Sequence, residues 1–202
     1  MELPDIKEQQ LKHHLTVMSR SGIRDRSVAQ EAMAVCAATF RTLEAVRKSL
    51  PFVWQAKAVR EGVAEVIQQC IPDKQTCLID NKTDSDIHLQ TIWPLLSLAL
   101  GAIITNARDA VAQQGLKVVV SAEICRQNAK RCCRITVANP GQFAAGVFDR
   151  LVNRGEPVRK TDGRYGVGLL TAYWAIRLLG GHMEFRNADE QAQADIVMPI
   201  GG

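Results

Sequence analysis

The first fifty residues carry apolar side chains at a helical period. In residues 6–20 the apolar positions are spaced by four and three, and a second stretch with a similar period covers residues 27–50 and ends before Pro51. This pattern predicts two antiparallel helices. Because a two-helix hairpin buries too little core by itself, we expect residues 1–51 to form a domain that completes a four-helix bundle by dimerisation.

Beyond residue 51 the pattern alternates between helical and extended periods. The predicted helices cover residues 52–69, 94–114 and 166–179, and the predicted strands cover 76–79, 116–125, 131–138, 183–186 and 194–199. The polar turn Gln127-Asn128-Ala129-Lys130 is predicted to join the two longest strands, and residues 80–86 are predicted to form another turn. Helices interleaved with antiparallel strand pairs favour an α+β fold, a two-layer α/β sandwich, for residues 52–202.

Composition and charge narrow the classes of function. The chain has 202 residues, of which 47% are hydrophobic and 23% charged, and this composition supplies a core and argues against disorder. A net charge of +4, with no basic run interleaved with aromatic residues, does not indicate nucleic acid as a partner. The longest apolar stretch, residues 93–104, is shorter than the roughly 20 residues that a membrane helix needs. Residues 1–19 lack the apolar segment of a signal peptide, so we expect a cytoplasmic protein.

The cysteine pattern indicates free thiols. Cys132 and Cys133 are adjacent in a predicted strand, so their side chains should point to opposite faces of the sheet. No two cysteines have the spacing of a Cys-x-x-Cys pair, and the spacing does not match that of zinc ligands. We expect reduced thiols, mostly buried as small hydrophobic side chains. The six cysteines are Cys36, Cys70, Cys77, Cys125, Cys132 and Cys133.

A glycine cluster at the start of the last predicted helix has the chemistry of a phosphate site. Gly163, Gly166 and Gly168 allow backbone N–H groups to approach a ligand closely, and the helix dipole adds partial positive charge at the same point. An earlier predicted helix carries the polar cluster Asn106-Ala107-Arg108-Asp109-Ala110. Together the two features favour a nucleotide site made from two helices and a loop.

The order of these motifs resembles the ATP-binding domain of sensor histidine kinases, in the superfamily that includes gyrase and the mismatch-repair ATPases. The resemblance covers residues 52–202, and the preceding hairpin resembles a short dimerisation and phosphotransfer domain. Each motif alone is weak, and the specificity lies in their order and spacing. The motifs are a helix with Asn106-Ala107, a strand ending in Val137-Ala138-Asn139-Pro140-Gly141, a basic lid, a glycine-rich turn into a helix, a Gly180-Gly181 hairpin and a final strand that ends at Pro199.

The resemblance implies that ATP and Mg²⁺ bind this domain. Asn106 would be a ligand of the magnesium ion that bridges the phosphates, because magnesium prefers hard oxygen ligands, and Arg108 or Asp109 could face the same cleft. Asn139 stands where the family has an aspartate that accepts a hydrogen bond from the adenine amino group, and its amide carbonyl offers one acceptor there. Gly141 would let the backbone pass close to the base.

The glycine-rich turn and the lid would hold the phosphates. Backbone N–H groups near Gly166 and Gly168, with Gly163 in the same turn, are the implied phosphate donors, while Leu169 and Leu170 would dock the helix into the core. One or two basic side chains of the lid would neutralise phosphate charge. The basic residues of the lid are Arg150, Arg154, Arg159, Lys160 and Arg164.

The implied function is that of a histidine kinase module of a two-component system. A homodimer would phosphorylate itself from ATP on His13 or His14, the histidines of the first predicted helix, because an exposed neutral imidazole can attack a γ-phosphoryl group. The phosphoryl group would then pass to the receiver domain of a response regulator.

Three departures from the family pattern keep other functions open. Ala102 replaces a polar residue one turn before Asn106, Asn139 replaces the family's aspartate, and Phe143 replaces a second glycine after Gly141. The histidines also lack the acidic residue and proline that usually follow them in the family. A degenerate histidine phosphotransferase or signalling scaffold that does not hydrolyse ATP is therefore the alternative. A serine kinase of the anti-sigma type shares the nucleotide fold, but those chains usually lack an N-terminal helical hairpin.

Overall fold

The computed structural model of the chain describes residues 54–70, 79–83, 86–111, 116–147, 149 and 167–200. The predicted N-terminal hairpin, its boundary at residue 51 and the histidines His13 and His14 lie outside the described residues. Most of the predicted lid lies outside them as well, including Lys160, Gly163 and Gly166.

Seven strands and three helices make up the described part of the chain. In chain order they are β1 (Gln55–Ala58), α1 (Val59–Cys70), β2 (Ile79–Asn81), β3 (His88–Thr91), α2 (Trp93–Val111), β4 (Val118–Gln127), β5 (Lys130–Pro140), α3 (Val167–Leu178), β6 (His182–Ala188) and β7 (Gln191–Pro199). Most of the predicted helices and strands are confirmed, with ends that shift by a few residues.

The main sheet has five strands in the order β2-β4-β5-β7-β6, and all neighbours are antiparallel except the parallel pair β2–β4. Alternate strand residues such as Cys133, Ile135 and Ile196 are fully buried in the same core cluster as Leu100 and Ile176 of the helices. The helices therefore cover one face of the sheet, and the predicted α+β sandwich is confirmed.

A two-residue turn connects β4 to β5. Gln127 pairs with Lys130, and the intervening Asn128 and Ala129 have φ angles of 49° and 63°. Positive φ at both central residues matches the right-handed twist of the strands, as in a type I′ hairpin. The turn predicted from the polar cluster is therefore confirmed.

The prediction of a helix over residues 52–69 is wrong in its first part. Residues 55–58 form β1, which pairs antiparallel with β3, a strand that the sequence analysis did not predict. The helix starts only at Val59, whose N–H donates to the carbonyl of Ile87 at 2.8 Å. A strand of four residues is too short for its hydrophobic period to be distinguished from that of a helix. The strand is stabilised by a pairing partner that lies far away in the sequence, which a local pattern does not reveal.

The sheet face away from the helices carries a cluster of paired polar side chains. Asp195 is 0% exposed at the centre of this face, where the Thr136 hydroxyl donates to its Oδ1 at 2.6 Å. Arg186 Nε lies 3.0 Å from Asp195 Oδ2, and Arg134 donates to Glu123 at 3.2 Å. A buried carboxylate is stable here because it has both a hydrogen bond and a cationic partner.

Helix α1 approaches Trp93 through Gly62. The indole N–H of Trp93 donates to the Gln55 carbonyl at 3.1 Å, which fixes the ring beside β1. A Cβ atom at position 62 would overlap the six-membered part of this ring. The close contact between α1 and α2 therefore requires glycine at position 62.

We predict that Gly62→Ala destabilises the full chain. An added methyl group gains about 1 kcal/mol of helix propensity, but it overpacks a core that has no room for it and forces Trp93 to move. We expect a net loss of about 1–2 kcal/mol in the free energy of unfolding, measured by urea denaturation.

Gly101→Ala in α2 is the matched control, because its Cβ would lie 3.5 Å from Cys70 Sγ, an ordinary contact. Its stability should equal that of the parent or exceed it by up to about 1 kcal/mol. Equal stability of the two variants would contradict the account of Gly62.

Candidate functional site

A cavity of about 1090 Å³ runs along the outward face of α2. The side of this helix that lines the cavity presents mostly small or polar side chains between Trp93 at its start and Arg108 near its end. Glu65, Gln69 and Cys70 of α1 form one wall, and Gly168 and Leu169 at the start of α3 form the other. The residues of α2 itself that line the cavity are Trp93, Pro94, Ser97, Leu98, Gly101, Ala102, Thr105, Asn106 and Arg108.

Helical periodicity explains how Asn106 comes to line this cavity. Leu98, Ala102 and Asn106 are each four residues apart and therefore share one face of α2. The opposite face, with Ile103, Ile104 and others, is buried in the core. Asn106 itself is half-buried, so its amide is held by the helix and still reaches the cavity.

The N-terminus of α3 meets α2 one turn before Asn106. Gly168 is the second residue of α3, and a Cβ atom placed on it would lie 3.7 Å from the Cβ of Ala102. Leu169 is buried in the core and fixes the first turn of the helix. The first N–H groups of a helix have no partner within the helix, so this end of the cavity can bind an anion.

The polar residues that follow Asn106 have different surroundings. Arg108 lines the cavity, but its guanidinium donates to the carbonyl of Cys70 at 2.7 Å and to Asp109 Oδ1 at 2.9 Å. Arg108 therefore caps the C-terminus of α1, which favours a cation. Asp109 is held by that contact and is not among the described residues that line the cavity.

The far end of the cavity contains residues that the sequence analysis did not identify. Lys57 forms an ion pair with Glu65, and its ammonium lies 5.7 Å from the centre of the Trp93 ring. All three residues line the cavity. They could not be recognised from the sequence, because Lys57 was assigned to a helix and reaches Trp93 only through the pairing of β1 with β3.

Asn139 and Gly141 lie where β5 ends, outside the lining of this cavity. Asn139 is 7% exposed and its Nδ2 donates to the Pro140 carbonyl at 2.9 Å. Gly141 has a φ of 113°, a conformation that favours glycine, and its N–H donates to the Glu190 carbonyl at 3.0 Å. The end of β5 is thus fixed against the turn between β6 and β7.

Phe143, which replaces a second glycine, holds the segment after β5 against β6. Its ring meets Phe185 edge to face, with 5.3 Å between the ring centres. Its N–H donates to Asn187 Oδ1 at 2.8 Å, and Asn187 Nδ2 donates back to the Phe143 carbonyl at 3.1 Å. The residue that departs from the family pattern therefore has a structural role.

The comparisons with known proteins agree with this architecture. No family model matches the sequence, and no curated protein matches it. Histidine kinase AdeS of Acinetobacter baumannii has a similar structure, with a TM-score of 0.57 and 16% identity over 96% of this chain and 95% of that one. The catalytic domain of histidine kinase ThkA gives a TM-score of 0.58 at 16% identity, over 73% of this chain and 96% of that one.

A histidine kinase from Burkholderia phymatum gives a TM-score of 0.57 at 15% identity, over 96% of each chain. The chain has the histidine kinase catalytic fold. The resemblance proposed from the order of motifs is thus confirmed for the fold. Of the helices that the structure describes, none has both the length and the apolar character to cross a membrane.

The donors around the cavity fit a magnesium–nucleotide ligand. Magnesium in nucleotide sites takes one or two protein oxygens and fills its other positions with phosphates and water. Asn106 would supply one such oxygen, beside the N-terminus of α3. Among the described residues no cluster of His, Cys, Asp and Glu offers an all-protein cage.

We predict that Asn187→Ala loosens the segment after β5. Two hydrogen bonds are lost, each worth about 0.5–1.5 kcal/mol, so amide exchange at Phe143 should accelerate by roughly tenfold, measured by NMR.

Asn187→Asp keeps the acceptor of the Phe143 N–H but loses the donor to the Phe143 carbonyl, so its exchange rate should lie between those of the parent and Asn187→Ala. Unchanged exchange in Asn187→Ala would show that another contact holds the segment.

Proposed function

We propose that this chain binds Mg·ATP in the cavity along α2 and acts as a histidine kinase module. The observation that carries the proposal is the meeting of Asn106 and the N-terminus of α3 at one cavity, within a histidine kinase catalytic fold. The module phosphorylates His13 or His14 and passes the phosphoryl group to an aspartate of a response-regulator receiver domain. It works as a homodimer through the predicted hairpin of residues 1–51.

Each described residue of the site would act by position and charge. Asn106 would hold the magnesium ion through its amide oxygen, and Mg²⁺ when bound neutralises phosphate charge. Backbone N–H groups around Gly168 would donate to the phosphates, and Leu169 keeps that turn in place from the core side. Arg108 would act mainly on the shape of the cavity wall, since its guanidinium is held by the end of α1 and paired with Asp109.

The histidine would act as the nucleophile. A neutral imidazole nitrogen forms a bond to the γ-phosphorus while the bond to the bridging oxygen breaks, and ADP leaves. Alignment of the imidazole with the γ-phosphate would account for most of the rate acceleration. Phosphoryl transfer has a loose transition state, so the protein contributes mainly by positioning the reactants and stabilising charge.

A degenerate phosphotransferase or scaffold is the second candidate, and Ala102 favours it. Its methyl group lines the cavity beside Gly168, where a polar side chain would contact the reacting group. A site without that group would bind nucleotide weakly or turn it over slowly.

We predict that Asn106→Ala weakens Mg·ATP binding to the full chain. Because one magnesium ligand is lost, the Kd measured by calorimetry should rise at least about tenfold in the presence of magnesium. Binding of ATP in EDTA should change little. Gly168→Val, which narrows the phosphate end, should weaken binding under both conditions.

Glu123→Ala is the control, because Glu123 is exposed on the opposite face of the sheet and should leave both affinities unchanged. If the folded parent chain does not bind ATP at millimolar concentration, the kinase proposal is wrong, and the phosphotransferase or scaffold remains as the candidate function.

We also predict the chemistry of the phosphorylated product. Incubation with radiolabelled Mg·ATP should give an acid-labile label, lost in either His13→Gln or His14→Gln and in the double variant. Label that enters only from a phosphorylated receiver domain would favour the degenerate phosphotransferase. Acid-stable label on a partner serine would indicate the serine-kinase alternative instead.

A further inference from the structure

Two cysteines face each other on the outer side of the main sheet. Cys125 of β4 pairs with Cys132 of β5, two positions from the hairpin pair Gln127 and Lys130. Because facing residues of a sheet share one side, both thiols lie on the face away from the helices. Neither cysteine lines the cavity along α2, and the proposed kinase chemistry does not use them.

The ladder places the two Cα atoms at a disulfide-compatible distance. A two-residue turn makes Gln127 and Lys130 a hydrogen-bonded pair, and the alternation of the ladder makes Cys125 and Cys132 the next one. Cα atoms in such pairs are about 5.5 Å apart, within the range of about 4.4–6.8 Å seen across disulfides. Cβ atoms must approach by about 1 Å, since facing Cβ atoms are up to about 5.5 Å apart.

The two thiols differ in access to solvent. Cys125 is half-buried, whereas Cys132 is 6% exposed and its Sγ contacts the Lys130 carbonyl at 3.7 Å. Burial raises the pKa of Cys125, and the nearby Arg134 opposes that rise. Cys125 is therefore the thiol that a small oxidant reaches first, and Cys132 lies beside it as the second.

Cys133 provides the contrast within the same strand. It alternates to the helix side, where it is 0% exposed in the core. Burial raises its pKa to about 12, so its thiol stays protonated and unreactive. Adjacent cysteines of one strand thus face opposite sides of the sheet.

We infer that Cys125 and Cys132 form a reversible cross-strand disulfide, a redox modification site of this protein. The oxidant is a low-molecular-weight disulfide such as oxidised glutathione. The Cys125 thiolate attacks it and releases one glutathione thiol, and the Cys132 thiolate then attacks Cys125 Sγ and releases the second. Two protein thiols lose two electrons and two protons, and one glutathione disulfide becomes two thiols.

Reversibility follows from the ladder geometry. The approach of the Cβ atoms strains the bond, and strained disulfides are reduced more readily. Intracellular disulfides of this kind are usually transient and redox-sensing.

The test treats the full chain with oxidised glutathione, blocks the remaining thiols with iodoacetamide and digests with trypsin. Arg126, Lys130 and Arg131 lie between the two cysteines, so the disulfide joins two peptides that dithiothreitol separates. Cys132 and Cys133 share one peptide, and variants must therefore distinguish them. We expect the linked pair in the parent chain and in Cys133→Ala, and its loss in Cys125→Ser and in Cys132→Ser.

Linkage that persists in Cys132→Ser would assign the bond to Cys133 and overturn the inference. So would glutathione that remains on Cys125 of the parent chain, Cys125 linked to any other cysteine, or both thiols alkylated after treatment. Circular dichroism of each variant checks that it is folded. The experiment measures only the oxidation state of the thiols, so its result does not depend on whether the chain binds nucleotide.

Discussion

Helix α2 packs into the core with one face and lines the cavity with the other. The rest of the described structure depends on this difference between its two faces. Its buried side packs between α1, α3 and the sheet, where Leu96, Leu100 and Ile104 are 0% exposed. Burying such side chains contributes about 1.5–3 kcal/mol each. The same burial fixes the rotation of the helix, and thereby aims Ala102 and Asn106 at the cavity.

The walls of the cavity are positioned by contacts that involve backbone groups. Arg108 donates to the C-terminal end of α1, Trp93 donates to β1, and Gly62 allows α1 to pack against the Trp93 ring. These contacts are largely structural, yet each holds one side of the cavity. Residues can therefore be essential to the shape of this cavity mainly through their contacts with neighbouring helices and strands.

The departures from the histidine kinase pattern have two different physical meanings. Phe143 is accommodated: it packs on Phe185 and is fixed by Asn187, so the segment after β5 is held by side chains where a glycine would depend on its backbone alone. Ala102 places a methyl group on the cavity surface, where the family pattern has a polar side chain. The first departure concerns the fold, and the second concerns chemistry.

Much of this domain followed from local patterns. The period of apolar residues predicted α2, α3 and the long strands, the polar cluster at Asn128 predicted the hairpin turn, and motif order identified the fold despite identities of only 15–16% to the solved structures compared. These features are local because periodicity and turn chemistry act over a few residues. Asn106 and Gly168 were likewise recognisable, since each lies at a defined position of a helix.

Other features were decided only by tertiary structure. Strands β1 and β3 are too short to have a clear period, and they exist because they pair with each other across α1. The positions of Lys57, Glu65 and Trp93 in one cavity, and of Cys125 opposite Cys132, depend on packing and register. The sequence by itself determined which residues form helices and strands, because that information is local. The fold decided which of them meet, because contacts between distant segments arise only when the core is packed.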